Sequence, residues 1–430
     1  MIKHKIQSLL KGRFLGKVVV IAGGTALAQI VTAVSAPIIT RLYSPEDYGV
    51  VTVFSSILGL ISFGALQYEN SLPIADDEDS AINVLALCFL VLISLSIMVL
   101  VIFLVWGRWI LGRMNGDVML PFIYFVPIGF FLSGSYTVLK LWAFRNRNYK
   151  TISSTTVTQS VFGNTFKILA GLMGLGPLGL VVGAIMGQSS GIVSLSRPLW
   201  AKSRSIRAAI SISKMKTCAK RFKDFPLYST PNTFVNSLKN QLPVLYLSGA
   251  YEGAVVGFFG LALAIIKVPL HLIGQSIGSV FFAEAAHIGR SNPLRLKRLA
   301  NKLIKRLALI GLFPLAALLL FGPELFELVF GSLWREAGVY ARIISVMAYF
   351  ELVLNPVSRV FVVFEKQKTI LIINAFRACL IAFGFLISSL LNFDSYQTVM
   401  IYSCIMVLSQ YIIFFFAQRI IKEAIELQNK

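Results

Sequence analysis

The residues of this sequence that are best suited to chemistry are charged side chains inside long apolar segments. Four cations lie well within such segments: Lys167, Lys239, Lys267 and Arg377. Each costs about 2.5–3.5 kcal/mol on insertion scales when placed at the centre of a bilayer. Glu351 is the carboxylate at comparable depth, and Arg359 lies nearer a segment end, where its side chain can reach the interface. The positive excess predicts an interior site for an anion.

Polar side chains accompany these charges at helical spacing. Four apolar segments carry such stripes: Thr25, Gln29 and Thr32; Ser153, Thr156, Ser160, Asn164 and Lys167; Asn232, Asn236, Lys239 and Asn240; Glu351, Asn355 and Arg359. Lipid cannot satisfy these groups, so they must line a cavity or pair across the bundle. We interpret them as the lining of a water-filled cationic cavity. The alternative is a set of buried ion pairs, such as Glu351 with Arg377, which would leave about two cations unpaired.

The elements that must position these residues are membrane-spanning helices. The chain has 430 residues, of which 56% are hydrophobic and only 14% charged. Average soluble proteins carry roughly 25% charged residues, so a soluble enzyme, a secreted module and a disordered chain are excluded. A spanning helix needs about 20 mostly apolar residues. Twelve segments qualify: 17–39, 49–68, 81–106, 119–143, 151–173, 177–199, 225–249, 253–282, 307–323, 337–363, 369–391 and 396–419.

The distribution of lysine and arginine predicts the orientation. With a cytoplasmic N-terminus, alternate segments place 30 of the 40 cations on the inner side, 4 on the outer side and 6 within helices. This bias predicts that both termini are cytoplasmic. It also explains the net charge of +21 without nucleic acid.

The longest inner segment divides the chain into three parts. We expect an N-terminal lobe of six helices over 1–199, a basic cytoplasmic linker over 200–224 and a C-terminal lobe of six helices over 225–430. Residues 203–216 and 293–307 can each form a basic amphipathic helix on the membrane surface. The acidic run at 76–79 is expected to be a solvated turn.

Cofactor and metal sites are not expected. The four cysteines have no paired spacing and the three histidines are scattered. The pattern Gly174-Leu-Gly176-Pro-Leu-Gly179 follows a predicted helix, which is the wrong context for a dinucleotide site. Gly179, Gly183, Gly187 and Gly191 instead predict close packing of the sixth helix against a neighbour. No nucleotide-binding loop occurs, so a carrier driven by a gradient remains.

Two motifs carry a resemblance to a known family. The stretches Ile39-Thr-Arg-Leu-Tyr-Ser-Pro-Glu-Asp-Tyr-Gly49 and Tyr68-Glu-Asn-Ser-Leu-Pro-Ile74 resemble those of polysaccharide exporters. The sequence is thus similar to the polysaccharide branch of the multidrug/oligosaccharidyl-lipid/polysaccharide (MOP) flippase superfamily, in particular O-antigen (Wzx-type) flippases. The resemblance implies an all-α fold of twelve helices in two six-helix lobes around a central cavity. It also implies a bacterial inner-membrane location.

The resemblance implies that the cargo is an undecaprenyl-diphosphate-linked oligosaccharide, moved to the outer leaflet by alternating access. A polysaccharide polymerase and a chain-length regulator are the implied protein partners, within the phospholipid bilayer. On this hypothesis the diphosphate is received by five cations: Lys167, Lys239, Lys267, Arg377 and Arg359. The glycan is contacted by five amide side chains: Gln29, Asn232, Asn236, Asn240 and Asn355. Glu351 serves coupling.

Two alternatives remain open. A multidrug exporter of the same superfamily would favour buried carboxylates, because its substrates are mostly cationic. A polymerase or ligase of polysaccharide assembly would need a sizeable outer loop, whereas the longest outer loops here have about twelve residues. We therefore expect a transporter and not an enzyme.

Overall fold

The computed structural model describes residues 13–112, 117–288 and 292–428, and within these ranges it contains helices and no strand. The first half of the chain forms nine α-helices: α1 (Arg13–Leu42), α2 (Pro45–Leu60), α3 (Glu78–Gly112), α4 (Phe125–Arg145), α5 (Tyr149–Leu172), α6 (Pro177–Ser189), α7 (Ile192–Ala201), α8 (Ser203–Ala209) and α9 (Ile212–Arg221). A 3₁₀ helix, Tyr68–Ile74, connects α2 to α3.

The second half forms seven more α-helices: α10 (Thr230–Ala250), α11 (Gly253–Ile288), α12 (Pro293–Phe330), α13 (Arg335–Leu354), α14 (Val360–Val363), α15 (Gln367–Leu390) and α16 (Ser395–Gln428). Each of the twelve predicted segments corresponds to helical structure. Nine helical stretches in the described ranges are long and apolar enough to span a membrane. The others, α2, α5 and α10, are short or diluted by polar residues. The all-α membrane fold is confirmed.

Local sequence signals explain where several helices begin. Ser44 and Asp47 cap the start of α2 reciprocally, because each backbone N–H donates to the other residue's side-chain oxygen at 3.2 Å. Pro45 and Pro177 occupy the first positions of α2 and α6, where a missing N–H costs nothing. The Asn292 side chain accepts from the Arg295 N–H at 3.0 Å and caps α12.

The chain folds into two compact units. The first consists of residues 1–43 and 53–237, and the second of residues 44–52 and 238–430. The beginning of α2 therefore belongs with the C-terminal half, and its Gly49 packs against the backbone of Gly253 in α11. The linker expected over 200–224 lies within the first unit.

Glycines set the helix packing in the first unit. A Cβ built on Gly163 of α5 would lie 2.7 Å from the Gly187 Cα of α6 and 3.1 Å from the Gly183 oxygen. The predicted close approach of the sixth segment is thus found at Gly183 and Gly187. Gly191 departs from the predicted stripe, because its φ of +103° lies in the region that favours glycine and separates α6 from α7.

One prediction about the basic segments is wrong. Residues 293–307 do not form a separate surface helix, because they are the first turns of α12, which continues to Phe330 with one kink at Phe321. The acidic run at 76–79 is exposed at the bend where α3 begins, as expected, and it also forms ion pairs. Asp76 pairs with Arg221, Glu78 with Lys202 at 3.2 Å and Asp79 with Lys214. The basic helices α8 and α9 form where the amphipathic pattern predicts, and both contact α3 of the first unit.

Candidate anion-binding site

Arg377 is the most constrained cation in the second unit. It lies in α15 and is only 5% exposed, and its Nε and Nη2 atoms are buried without a hydrogen-bond partner. A buried guanidinium normally satisfies its donors with a carboxylate, a carbonyl or water. Unsatisfied donors of this kind cost free energy in the empty protein and favour an anion that can accept from them.

Further charges surround Arg377. The Lys239 Nζ atom of α10 lies 3.4 Å from the Asn374 Oδ1 atom, one turn before Arg377. Lys239 and Arg377 repel each other electrostatically, and Glu351 of α13 attracts both of them as well as Lys267 of α11. We call these four residues the cation cluster: Lys239, Lys267, Glu351 and Arg377. Three cations share one carboxylate, so the cluster carries a positive excess.

The expected ion pair between Glu351 and Arg377 does not satisfy the arginine. Their charges interact, but two of the three guanidinium nitrogens are buried without a hydrogen-bond partner. The cluster therefore keeps donors for a ligand, in line with the cavity interpretation.

Helix α16 adds polar side chains that sequence reasoning missed. Tyr402 lies close enough to Glu351 and Arg377 for their charges to act on its hydroxyl. The Ser403 Oγ and Gln410 Oε1 atoms are buried without a hydrogen-bond partner. Ser403 and Gln410 are seven residues apart, so they lie on one face of α16. The same polar periodicity that was applied to the other helices could have identified them.

Lys167 belongs to the first unit, apart from the cation cluster. Its backbone oxygen accepts from the Tyr43 hydroxyl at 2.6 Å. Its aliphatic chain lies against Gly183, where a Cβ would collide with the Lys167 Cγ atom. The side chain is half-buried, and within the described residues it forms no ion pair.

The polar stripe beside Lys167 pairs across the bundle. The Ser153 hydroxyl donates to the Val20 oxygen at 2.7 Å and the Ser160 hydroxyl to the Ala28 oxygen at 2.6 Å. Asn164 donates to its own helix and contacts Thr32 at 3.4 Å. Most of this stripe therefore joins α5 to α1. Of the two outcomes that the sequence allowed, lining a cavity or pairing across the bundle, these residues show the pairing.

The other predicted site residues lie outside the cation cluster. Asn232, Asn236 and Asn240 are exposed along α10, and Gln29 is half-buried in α1. Asn355 and Arg359 do not continue the α-helical stripe of Glu351, because α13 ends at Leu354 and residues Asn355–Arg359 form a 3₁₀ turn. Pro356 and Val357 of this turn are buried, whereas Asn355 and Arg359 are exposed. Proline lacks the N–H that the α-helical ladder needs, and this is the physical reason for the correction.

Comparison with known proteins identifies the family. Residues 38–339, more than half of the chain, match the model of a family described as polysaccharide biosynthesis protein. The chain belongs to this polysaccharide biosynthesis protein family. No curated protein matches the sequence at a significant level.

Solved structures place the polysaccharide biosynthesis protein in the MOP superfamily fold. It resembles an inward-facing multidrug resistance MATE family transporter of that superfamily (15% identity, 93% of this chain and 96% of the other, TM-score 0.72). It also resembles the lipid II flippase MurJ in an inward closed conformation (12% identity, 94% and 90%, TM-score 0.67). A third match is a MOP superfamily transporter from Pyrococcus furiosus whose binding pocket has reverse polarity (16% identity, 97% and 98%, TM-score 0.56). The likeness to this superfamily that the sequence motifs carried is confirmed at the level of the fold.

Proposed function

We propose that this protein is a flippase that moves an undecaprenyl-diphosphate-linked oligosaccharide across the bacterial inner membrane by alternating access. The cargo class is the repeat unit of O-antigen or a related surface polysaccharide. Membership of the polysaccharide biosynthesis family and the fold of MOP transporters support transport in that pathway. The same fold supports a carrier and not an enzyme.

The observation that carries the proposal is the buried guanidinium of Arg377 beside Lys239. A diphosphate offers several anionic oxygens, and arginine binds such groups with two parallel hydrogen bonds. The two unpartnered nitrogens of Arg377 supply such donors, and the ammonium groups of Lys239 and Lys267 add charge. Burial of the Arg377 guanidinium with two unpartnered donors is unfavourable, so a bound anion stabilises the cluster.

Glu351 is proposed to serve coupling. It is the carboxylate that all three cations of the cluster share. When an anionic headgroup binds, it competes with this carboxylate for the same positive charges. This competition is the proposed link between cargo binding and the gradient that drives transport.

The first experiment tests the cations in cells and in vesicles. Arg377→Ala and Lys239→Ala are expressed in a strain that lacks its own O-antigen flippase, with protein level measured by immunoblot. Each change removes charge-assisted hydrogen bonds worth about 1.5–3 kcal/mol, which corresponds to at least a tenfold loss of binding. We expect loss of surface glycan at normal protein level.

The control is Arg419→Ala, which removes an exposed arginine that pairs with Glu423 at the end of α16. It should leave surface glycan unchanged. Full display with both Arg377 and Lys239 replaced would contradict the cationic site. Purified protein in vesicles should also move the lipid-linked glycan, and not a cationic dye such as ethidium. Export of the dye alone would favour the multidrug alternative.

A further inference from the structure

A second polar site lies within the first unit. A cavity of about 380 Å³ opens between the end of α2 and helices α4, α5 and α6. Its polar lining includes Ser62, Ser133, Tyr136, Thr137, Gln159 and Gln188, and none of its lining residues is charged. The volume lies within the range of small-molecule sites. The cation cluster, by contrast, belongs to the second unit.

The hydrogen bonds of the lining residues leave acceptors available. The hydroxyls of Ser62, Ser133 and Thr137 donate to backbone oxygens of their own helices at 2.7, 3.2 and 3.0 Å. A hydroxyl that donates once still has acceptor capacity on its oxygen. The Gln159 Nε2 atom donates to the Gln188 backbone oxygen at 2.8 Å, which fixes the amide of Gln159.

The cavity walls are pre-formed. Gly134 is required by packing, because a Cβ there would lie 2.5 Å from the Leu92 Cδ1 atom. Gly187 on the opposite wall is part of the close contact between α5 and α6. Phe130 and Leu58 complete the lining with apolar surface, and the Phe130 ring is held edge-to-face by Phe63.

The combination of uncharged polar groups and apolar surface in this cavity discriminates between classes of ligand. A charged ligand would lose hydration without meeting an opposite charge, which is costly. A purely apolar ligand would leave the hydroxyls and amides without partners. A neutral sugar both donates and accepts at each hydroxyl, and its C–H faces can pack against Phe130 and Leu58.

We propose that this cavity is a subsite for a neutral sugar ring of the transported glycan. Nothing in the sequence pattern singled the cavity out. The inference rests on the proposed flippase function. It separates recognition into two sites, with the diphosphate bound by the cation cluster and a sugar bound in the first unit.

The test compares Gln159→Met and Thr137→Val, singly and combined, with wild-type full-length protein. Both changes nearly conserve size. Gln159→Met removes an amide, and Thr137→Val removes a hydroxyl. The control Thr158→Val lies on α5, and its hydroxyl only donates to the Ser154 oxygen. Thermal unfolding checks that each variant is folded.

The first measurement is binding of a free neutral tetrasaccharide to purified protein, by saturation-transfer NMR. We expect wild-type and Thr158→Val to bind it and the double variant to bind at least about tenfold more weakly, as loss of two hydrogen bonds implies. Equal binding by all four variants, or no binding by wild-type, would overturn the sugar subsite.

The second measurement is transport in vesicles of polyprenyl diphosphate that carries either one hexose or the tetrasaccharide. The double variant should slow the tetrasaccharide substrate more than the single-hexose substrate. Equal slowing of both would contradict a sugar subsite that is separate from the diphosphate site. If wild-type binds the free sugar but moves neither lipid, the flippase proposal fails while the sugar site stands.

Discussion

At the scale of single residues, the balance of charge in the cation cluster can be measured. Glu351 interacts with Lys239, Lys267 and Arg377. Glu351→Gln should lower the thermal midpoint in detergent, because it removes the carboxylate that attracts the buried Arg377, and removal of one partner of a buried charge pair costs about 3–5 kcal/mol. Inorganic pyrophosphate should then stabilise the variant more than the wild-type, since it replaces the missing negative charge.

The matched control for this measurement is Glu324→Gln, which removes an exposed carboxylate that pairs with Arg335 at 3.2 Å. It should change neither the midpoint nor the response to pyrophosphate by much, because exposed pairs contribute about 0–1 kcal/mol. A response to pyrophosphate that is the same in Glu351→Gln and in wild-type would argue against a shared anion site.

Glu69 provides a second prediction at this scale, in the 3₁₀ helix between α2 and α3. It is 2% exposed, and burial raises the pKa of its carboxyl from 4.5 to about 7, although the N–H groups of Ala65 and Glu69 donate to it. The native state thus holds a proton that the unfolded chain has lost. The contribution of Glu69 to stability should be fully present below pH 4.5 and should be lost as the pH rises through 7.

The check is the thermal midpoint of wild-type and Glu69→Gln between about pH 5 and pH 8. The wild-type midpoint should decline across this range, and the variant should show a flatter profile because its amide cannot ionise. Glu252→Gln, at an exposed position, serves as the control and should keep the wild-type slope. Parallel profiles for all three proteins would exclude a protonated Glu69.

At the scale of elements, the contact between α5 and α6 depends on glycine. Gly163→Ala would place a Cβ 2.7 Å from the Gly187 Cα atom, so one helix backbone must move. Overpacking of this kind costs about 1–3 kcal/mol. We expect a lower thermal midpoint and a slower glycan flip, because both the Lys167 side chain and the sugar cavity adjoin these helices.

The control is Gly23→Ala on α1, where a Cβ meets nothing within 4 Å. Alanine is favoured over glycine in a helix by about 0.8–1.0 kcal/mol, so this variant should be as stable as wild-type or more so. A Gly163→Ala variant as stable as Gly23→Ala would show that the close approach does not limit stability at Gly163.

The helices could be predicted from sequence because their signals are local. Apolar runs of sufficient length, the Ser44 and Asp47 cap and the prolines at helix starts all act within a few residues. The cations of the site could be predicted for the same reason. Their partners could not: Lys239 meets Asn374 across 135 positions, and no local pattern reports that pairing or the unpartnered nitrogens of Arg377.

The neutral cavity of the first unit escaped prediction on similar grounds. Its serines, threonine and glutamines come from four helices and individually look like ordinary helix residues whose hydroxyls bond to their own backbone. Only the packing of those helices around Gly134 and Gly187 brings the groups together. Composition and spacing therefore indicated an anion site but carried no information about a second, uncharged one.

At the scale of the whole molecule, the segment that connects the two halves of the chain is held on the first unit by few strong contacts. The Asn83 side chain is fully buried, donates to the Ala209 oxygen at 3.1 Å and accepts from the Ser211 N–H at 2.9 Å, so it fixes the joint between α8 and α9. The three ion pairs around it are exposed and individually weak.

We therefore expect Asn83→Ala to release the segment more than loss of any one ion pair, because it strands two backbone groups at a cost of about 1–3 kcal/mol each. The measurement is the rate of tryptic cleavage within 202–223 in the purified protein.

Asp76→Asn should accelerate this cleavage less than Asn83→Ala does, and added salt should have the same small effect on wild-type. Arg221 holds the pKa of the Asp76 carboxyl below its usual range, so wild-type should keep this pair until the pH falls well into the acidic range. Ser94→Ala, which removes an exposed hydroxyl on α3, is the control and should be cleaved at the wild-type rate. If trypsin cleaves Asn83→Ala as slowly as wild-type, the charges alone hold the segment.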